Sequence, residues 1–291
     1  MSRESGRFTV LHVSDVHATE GSSLYGAVDG LERLARVGSY ARATGITPEA
    51  VIVTGDLVQR GNPGAYPAVA AACRALSAAV AAPVLTVLGN HDDPVAARHL
   101  PGHETSHRGV SVIDGMRIVR LDSRTGSLGD EQLDWLAGVL AEPADSGTIV
   151  ALHHAPLGSP LPTLSRQGLG DAEAFIAVLA ESDTRAVLAG HFHHSLAATA
   201  AGIPVFVGPS LAYHQVMDAG PDHVAGHDAP AFSLVQFTSL GVSAAEVSLS
   251  AHEPLFNEPV RDQASPPPVP VVSALHPTRH LTESLYHHHD S

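Results

Sequence analysis

Val84-Leu85-Thr86-Val87-Leu88-Gly89-Asn90-His91-Asp92 is an apolar, β-branched run that ends abruptly in a glycine and three polar side chains. A short apolar run bounded by a turn residue reads as a buried strand. The same arrangement occurs four more times. Phe8–Val13 runs into Ser14-Asp15-Val16-His17, and Val51–Thr54 into Gly55-Asp56. Ile149–Leu152 runs into His153-His154, and Ala186–Ala189 into Gly190-His191-Phe192-His193. Helix-period segments separate most of these strands: Val28–Ala43 with Leu31, Leu34 and Val37 on one face, Ala-rich Tyr66–Val80, Asp130–Leu140 with Leu133, Leu136 and Leu140, and Ala172–Ala180. Strands alternating with helices predict an α/β fold. Ligands of such sheets lie beyond the carboxyl ends of the strands. All five motifs therefore deliver Asp, His and Asn to one rim.

Outside these units, Ser111–Leu121 carries Asp114-Gly115 between two apolar stretches, a hairpin signal. The runs Pro204–Val207, Ala231–Phe237 and Ala244–Leu249 have no helix between them and predict a second, more antiparallel sheet packed on the first. Periodicity stops near Arg261. Residues 1–262 are expected to form one domain, and the Pro-rich 263–291 a flexible tail or linker. His287-His288-His289 lies on that tail and reads as incidental.

Composition narrows the function. The 291 residues carry a formal charge of -14, and every basic residue is Arg. With no basic cluster, a nucleic-acid partner is not expected. No apolar run is long enough to span a bilayer, and the first residues lack the apolar core of a secretory signal. A single cysteine, Cys73, allows no internal disulfide, which points to the cytoplasm.

Each polar motif alone has an ordinary explanation as a turn or a cap. As an ordered set on successive strand ends they describe one site. Imidazole combined with hard oxygen donors and no thiolate suits iron, manganese, zinc or cobalt. Two such cations about 3.5–4 Å apart can clamp both the attacking and the leaving oxygen of a phosphoryl displacement.

Asp15-x-His17, Gly55-Asp56, Gly89-Asn90-His91-Asp92, Val150-x-x-His153 and Gly190-His191-x-His193 resemble the signature of the calcineurin-like metallophosphoesterases over residues 8–250. Further segments are similar to the bacterial, especially actinobacterial, class III cyclic-nucleotide phosphodiesterases: Leu11–Asp15, Leu24–Asp29, Ala151–Pro156, and Ala189–His193 followed by Gly202–Val205. The resemblance implies an α/β fold that is a four-layer αββα sandwich of two mixed sheets flanked by helices. It implies one metal on Asp15, His17, Asp56 and His193, and a second on Asp56, Asn90, His153 and His191, with Asp56 bridging. It makes His91 the residue that binds the phosphoryl group and protonates the leaving alkoxide after attack by a metal-bridging hydroxide. The expected cofactors are two divalent or trivalent ions, iron or manganese first and zinc or cobalt as alternatives. By the same analogy the chain is expected to be a homodimer.

Departures inside the motifs narrow the substrate. Gln59 stands where phosphoprotein phosphatases of this superfamily have a second Asp and where purple acid phosphatases have a metal-binding Tyr, and Asp92 replaces the Glu of Gly-Asn-His-Glu. The reading that remains is hydrolysis of 3′,5′-cyclic nucleotides, cAMP above all, to 5′-monophosphates. Broad phosphodiesterase activity on glycerophosphodiesters or 2′,3′-cyclic nucleotides is the alternative, and a complete ligand set argues against a non-enzymatic scaffold. Among the other polar residues, His12 is expected in the core. His154 and His194 are expected beside the ligands, and Tyr213-His214 near the nucleotide pocket. Asp92 orients a neighbour, His99, His103 and His107 lie on the surface, Trp135 anchors its helix, and Arg60 and Arg124 are solvated or face phosphate.

Overall fold

The computed structural model describes residues 6–218, 220, 222–250 and 253–257. Met1–Ala251 form one compact unit and His252–Ser291 a second. Residues 253–257 of the latter have no helix or strand, and the stretch 263–291 with its His run lies outside the described residues.

In chain order the first unit comprises β1 (Arg7–Val13), α1 (Gly30–Thr44), β2 (Ala50–Thr54), α2 (Tyr66–Val80), β3 (Val84–Val87), β4 (Gly109–Ile113), β5 (Met116–Arg120) and α3 (Asp130–Leu140). It continues with β6 (Thr148–Ala151), α4 (Ala172–Ala180), β7 (Thr184–Ala189), β8 (Leu196–Ala200), β9 (Ile203–Val207), β10 (His214–Val216), β11 (Ala225–His227), β12 (Ala231–Thr238) and β13 (Gly241–Ser248). Local chemistry sets the boundaries. Asp29 caps α1 by accepting from Leu31 N and Glu32 N at 3.1 and 3.0 Å, so the helix starts at Gly30. Gly45 ends it in the left-handed conformation. Asp114 and Gly115, at φ 48° and 79°, make the expected tight hairpin between β4 and β5.

Two mixed sheets result, ordered β13-β12-β1-β2-β3 and β4-β5-β6-β7-β9-β8. Side-chain alternation gives the central strands two apolar faces. Phe8, Val10, Ile52 and Val87 of the first sheet meet Ile118, Ile149, Ala186 and Leu188 of the second in a shared layer. The opposite faces pack on helices: Leu11, Val13 and Val53 against Leu34 and Val37 of α1 and Val69 and Leu76 of α2, and Val119, Val150 and Val187 against Leu136 of α3 and Phe175 of α4. Three apolar layers between four layers of elements are the αββα sandwich.

β9, β12 and β13 do not form a sheet of their own; only the short β10 and β11 pair apart from the two sheets. β9 runs parallel to β7 inside the second sheet, while β12 lies antiparallel on β1 and carries β13 with it. The cause is the exposed edge of β1, whose Phe8 and Val10 need cover that β12 supplies with Val235 and Phe237. The five motif-bearing strands are likewise divided. β1, β2 and β3 belong to one sheet, and β6 and β7 to the other.

Candidate metal centre

The segments that follow β1 and β2 stay hydrogen-bonded beyond the sheet. Asp15 N–H donates to Gly55 O at 3.1 Å, His17 N–H to Asp56 O at 2.9 Å and Ala18 N–H to Leu57 O at 3.0 Å. Asp15, His17, Asp56, His191 and His193 all adopt left-handed backbone, with φ between 48° and 80°. Non-glycine residues enter that region at a cost of order 1–3 kcal/mol and persist where neighbours enforce it, typically at functional sites. The enforcement here is close packing of glycines. A Cβ on Gly89 would stand 2.3 Å from Asp56 Oδ1, and one on Gly190 1.9 Å from Ser14 Oγ.

Each carboxylate then divides its oxygens. Asp15 Oδ2 accepts from His191 N–H at 3.2 Å, and Asp56 Oδ1 from His91 N–H at 2.8 Å. The second oxygens face histidines. Asp15 Oδ1, buried and without a hydrogen-bond partner, lies 3.2 Å from His193 Nε2 and 3.9 Å from His17 Nε2. Asp56 Oδ2 is 3.5 Å from both His17 Nε2 and His153 Nε2. His153 Nε2 in turn lies 3.1 Å from Asn90 Oδ1 and 3.2 Å from His191 Nδ1. The structure thus brings all seven expected ligands together, with Asp56 between two groups.

The opposite ring nitrogens are committed. Nδ1–H of His17 donates to Gln59 Oε1 at 2.7 Å, that of His153 to Thr54 O at 2.7 Å and that of His193 to Tyr213 O at 3.2 Å. These acceptors fix the proton on Nδ1 and leave Nε2 as a bare donor aimed into the cluster, as a metal site requires. Electrostatics agree. Burial alone would raise Asp15 and Asp56, yet the neighbouring histidines, His193 for Asp15 and His153 for Asp56, hold both well below the usual carboxylate range. Burial pushes His17 down to about 4 and lowers His191. Burial also opposes charge on His153, but the Asp56 carboxylate lifts it to about 9. Among the described residues, Asp15, His17, Asp56 and His193 form one group able to hold an ion, and His153, His154 and His191 another.

Residues 8–195 match the calcineurin-like phosphoesterase family. A probable cyclic nucleotide phosphodiesterase of Rhodococcus erythropolis is 40% identical over 253 residues, 84% of each chain. A cAMP/cGMP dual specificity phosphodiesterase of Mycobacterium tuberculosis is 38% identical over 231 residues, covering 76% of this chain and 73% of that protein. A dimetal phosphatase of Danio rerio shares the fold at a TM-score of 0.59 and 15% identity, covering 84% of this chain and 99% of that one. The chain belongs to the calcineurin-like phosphoesterases.

Several residues of this phosphoesterase surround the cluster. Asp92 does not face it. Its carboxylate accepts from Leu57 N, Val58 N and Gly89 N at 3.1, 3.1 and 2.8 Å and from Tyr66 Oη at 2.9 Å, tying the loop after β2 to the loop after β3. His91 is half-buried beside His17, ring centroids 4.8 Å apart, and its Nδ1 accepts from Arg60 N–H at 3.4 Å. The Arg60 guanidinium donates to Asn90 O at 3.0 Å. His12 is buried against Thr54 Oγ1 at 2.9 Å, as expected of a core histidine. Tyr213 packs on His193, ring centroids 4.2 Å apart. Arg124 pairs with Asp122 at 2.8 Å. Half-buried Trp135 packs against the α3 core with the Arg108 guanidinium 5.1 Å from its ring.

Two expectations need correction or extension. His103 is fully buried, with Nε2 3.0 Å from Thr86 O, because it folds back over the end of β3. Ser123 had no signal. It follows β5, a sixth strand end, and its Oγ accepts from His153 N and His154 N at 3.2 and 3.0 Å, orienting the His-His pair. Among the described residues no helix is long and apolar enough to cross a membrane.

Proposed function

We propose that the protein is a dinuclear-metal phosphodiesterase that hydrolyses 3′,5′-cyclic nucleotides, cAMP among them, to 5′-monophosphates. The observation that carries the dinuclear part is Asp56 Oδ2, 3.5 Å from a histidine nitrogen on either side. One ion would be held by Asp15, His17, Asp56 and His193, the other by Asp56, Asn90, His153 and His191. The donor set and the orphaned Asp15 oxygen fit such ions, iron or manganese first and zinc or cobalt next. When bound, the pair would supply positive charge for the phosphoryl oxygens and lower the pKa of a bound water towards about 7.

The chain's own residues do the rest. His17, His153 and His193 keep fixed tautomers through Gln59, Thr54 and Tyr213. His91 accepts at Nδ1 from Arg60 N–H in its neutral form, which leaves Nε2 as the protonated nitrogen, and as the imidazolium it would give a proton to the departing ribose oxygen. Burial lowers the pKa of His91, making the imidazolium a stronger acid. The nucleotide part rests on the two named relatives, each matched over at least 73% of its length. A cytoplasmic homodimer completes this reading, and sedimentation of the purified protein tests the oligomer.

The deciding experiment removes metal by chelation, reloads with manganese and compares kcat/KM for 3′,5′-cAMP, 2′,3′-cAMP and glycerophosphoethanolamine. A preference for 3′,5′-cAMP, lost again on chelation, supports the reading. Hydrolysis of bis(p-nitrophenyl) phosphate without turnover of cAMP removes it.

A further inference from the structure

Tyr25 sits at the tip of a tight turn closed by reciprocal 2.9 Å hydrogen bonds between Leu24 and Val28. Leu24 and Val28 are buried in a small cluster with Ala212, and Tyr213 packs against it, so the turn is anchored. Tyr25 itself is 76% exposed and adopts φ 53°. An aromatic residue on left-handed backbone is a strained arrangement of the kind that collects at functional sites, and it is not set here to bury the ring. Its ring instead meets that of Tyr213 at a centroid distance of 5.8 Å and an angle of 66°.

These two rings border a cavity of about 550 Å³, whose far wall is the β10–β11 ribbon with Gln215 and Gly226 and the neighbouring Val224. That volume falls within the about 300–1,000 Å³ usual for small-molecule sites. Tyr213 joins the cavity to the metal centre, since its ring also lies against His193 and His17. Gly226 allows this, because a Cβ there would stand 2.9 Å from the Tyr213 ring. Among the described residues the lining includes Asp228, held by Arg33 at 2.6 Å, and His227, paired with Asp218 at 2.9 Å, and no arginine. Such a wall disfavours a second phosphate and suits a neutral, flat ring. The Gln215 amide can both donate to and accept from the edge of that ring.

We propose that this cavity is the nucleobase site, with Tyr25 and Tyr213 as the aromatic faces that hold the base while its phosphate lies on the metal centre. The proposal rests on the cyclic-nucleotide reading above and makes Tyr25 a specificity-determining residue. Aromatic side chains hold bases of any sequence by stacking, because every base has a π-face.

The test is the ratio of kcat/KM for 3′,5′-cAMP to that for glycerophosphoethanolamine, which has no base, in the manganese-loaded enzyme. Tyr25→Ala should lower this ratio at least tenfold, mainly through KM for cAMP, and Tyr25→Phe should restore it to within threefold. Saturation-transfer NMR provides a readout without turnover: the adenine protons of 5′-AMP should receive saturation in the wild type and lose most of it in Tyr25→Ala. An unchanged ratio and unchanged saturation transfer in Tyr25→Ala, with cAMP turned over by the wild type, overturn this proposal alone. A wild type that hydrolyses the base-free diester but not cAMP overturns the nucleotide reading and this proposal with it.

Discussion

Gln59 and His17 are joined by a 2.7 Å hydrogen bond in which the imidazole Nδ1–H donates to the amide oxygen. Outer partners of this kind typically contribute about 10–100-fold in metal affinity or activity. Gln59→Leu should therefore weaken metal binding on the Asp15 side by about that factor. Gln59→Glu, which keeps an acceptor, should retain more. Titrating manganese into the chelated variants while following diester hydrolysis checks this, and equal midpoints for Gln59→Leu and wild type would show that the bond orients nothing.

His91→Ala separates proton donation from binding. General acid catalysis is worth about 10²–10⁴-fold, and a p-nitrophenolate leaving group needs little of it. The loss in kcat should thus be large for cAMP and much smaller for bis(p-nitrophenyl) phosphate. Equal losses on both substrates would mean that His91 acts only by holding the phosphoryl group.

Gly190→Ala places a methyl group 1.9 Å from Ser14 Oγ, 2.8 Å from Thr54 O and 3.0 Å from Asp15 Oδ2. The backbone after β7 must then withdraw, carrying His191 and His193 with it. Activity at limiting metal should fall at least about tenfold, the scale of lost metal orientation, with a lower melting temperature. Wild-type activity across the whole metal titration would contradict the packing described.

Acid should destabilise the metal-free protein through its buried neutral histidines. Burial, with Arg120 second, pushes His103 from 6.5 down to about 4, and burial pushes His12 to about 4 as well. As pH falls from 6.5 towards 4 the unfolded chain takes up these protons before the folded one does. Stability is therefore complete above 6.5 and declines through that window. Replacing His103 with Gln should reduce the slope of unfolding free energy against pH by up to one proton, about 1.4 kcal/mol per pH unit. Urea midpoints at several pH values between 7 and 4.5 measure it, and an unaltered slope would mean that His103 is protonated in the native state.

What the sequence shows locally, it shows well. Asp29, Asp114-Gly115 and the apolar runs before each motif act through near neighbours, so the capped helix, the hairpin and the strand ends can be read from the chain. The pairing of Phe8 with Phe237 cannot, because alternation marks which face of β1 is apolar and not which distant segment covers it. The burial of His103 escapes the sequence for the same reason, since its polar neighbours describe a surface loop while contacts with Thr86 and Arg120 enclose it. The seven candidate ligands were legible as a set because each follows a strand. Ser123 was not, because it orients through its hydroxyl without a motif. The segment Leu24–Asp29 stood out by resemblance, but nothing in its spacing shows where the Tyr25 ring lies.

Asp15, His17, Asp56 and Asn90 come from the first sheet, and His153, His191 and His193 from the second. A chain emerging from the ribosome therefore presents only half a chelator until the later strands dock. The group of Asp15, His17 and Asp56 is complete only once His193 joins it, so retention of an ion there would be a read-out of completed assembly.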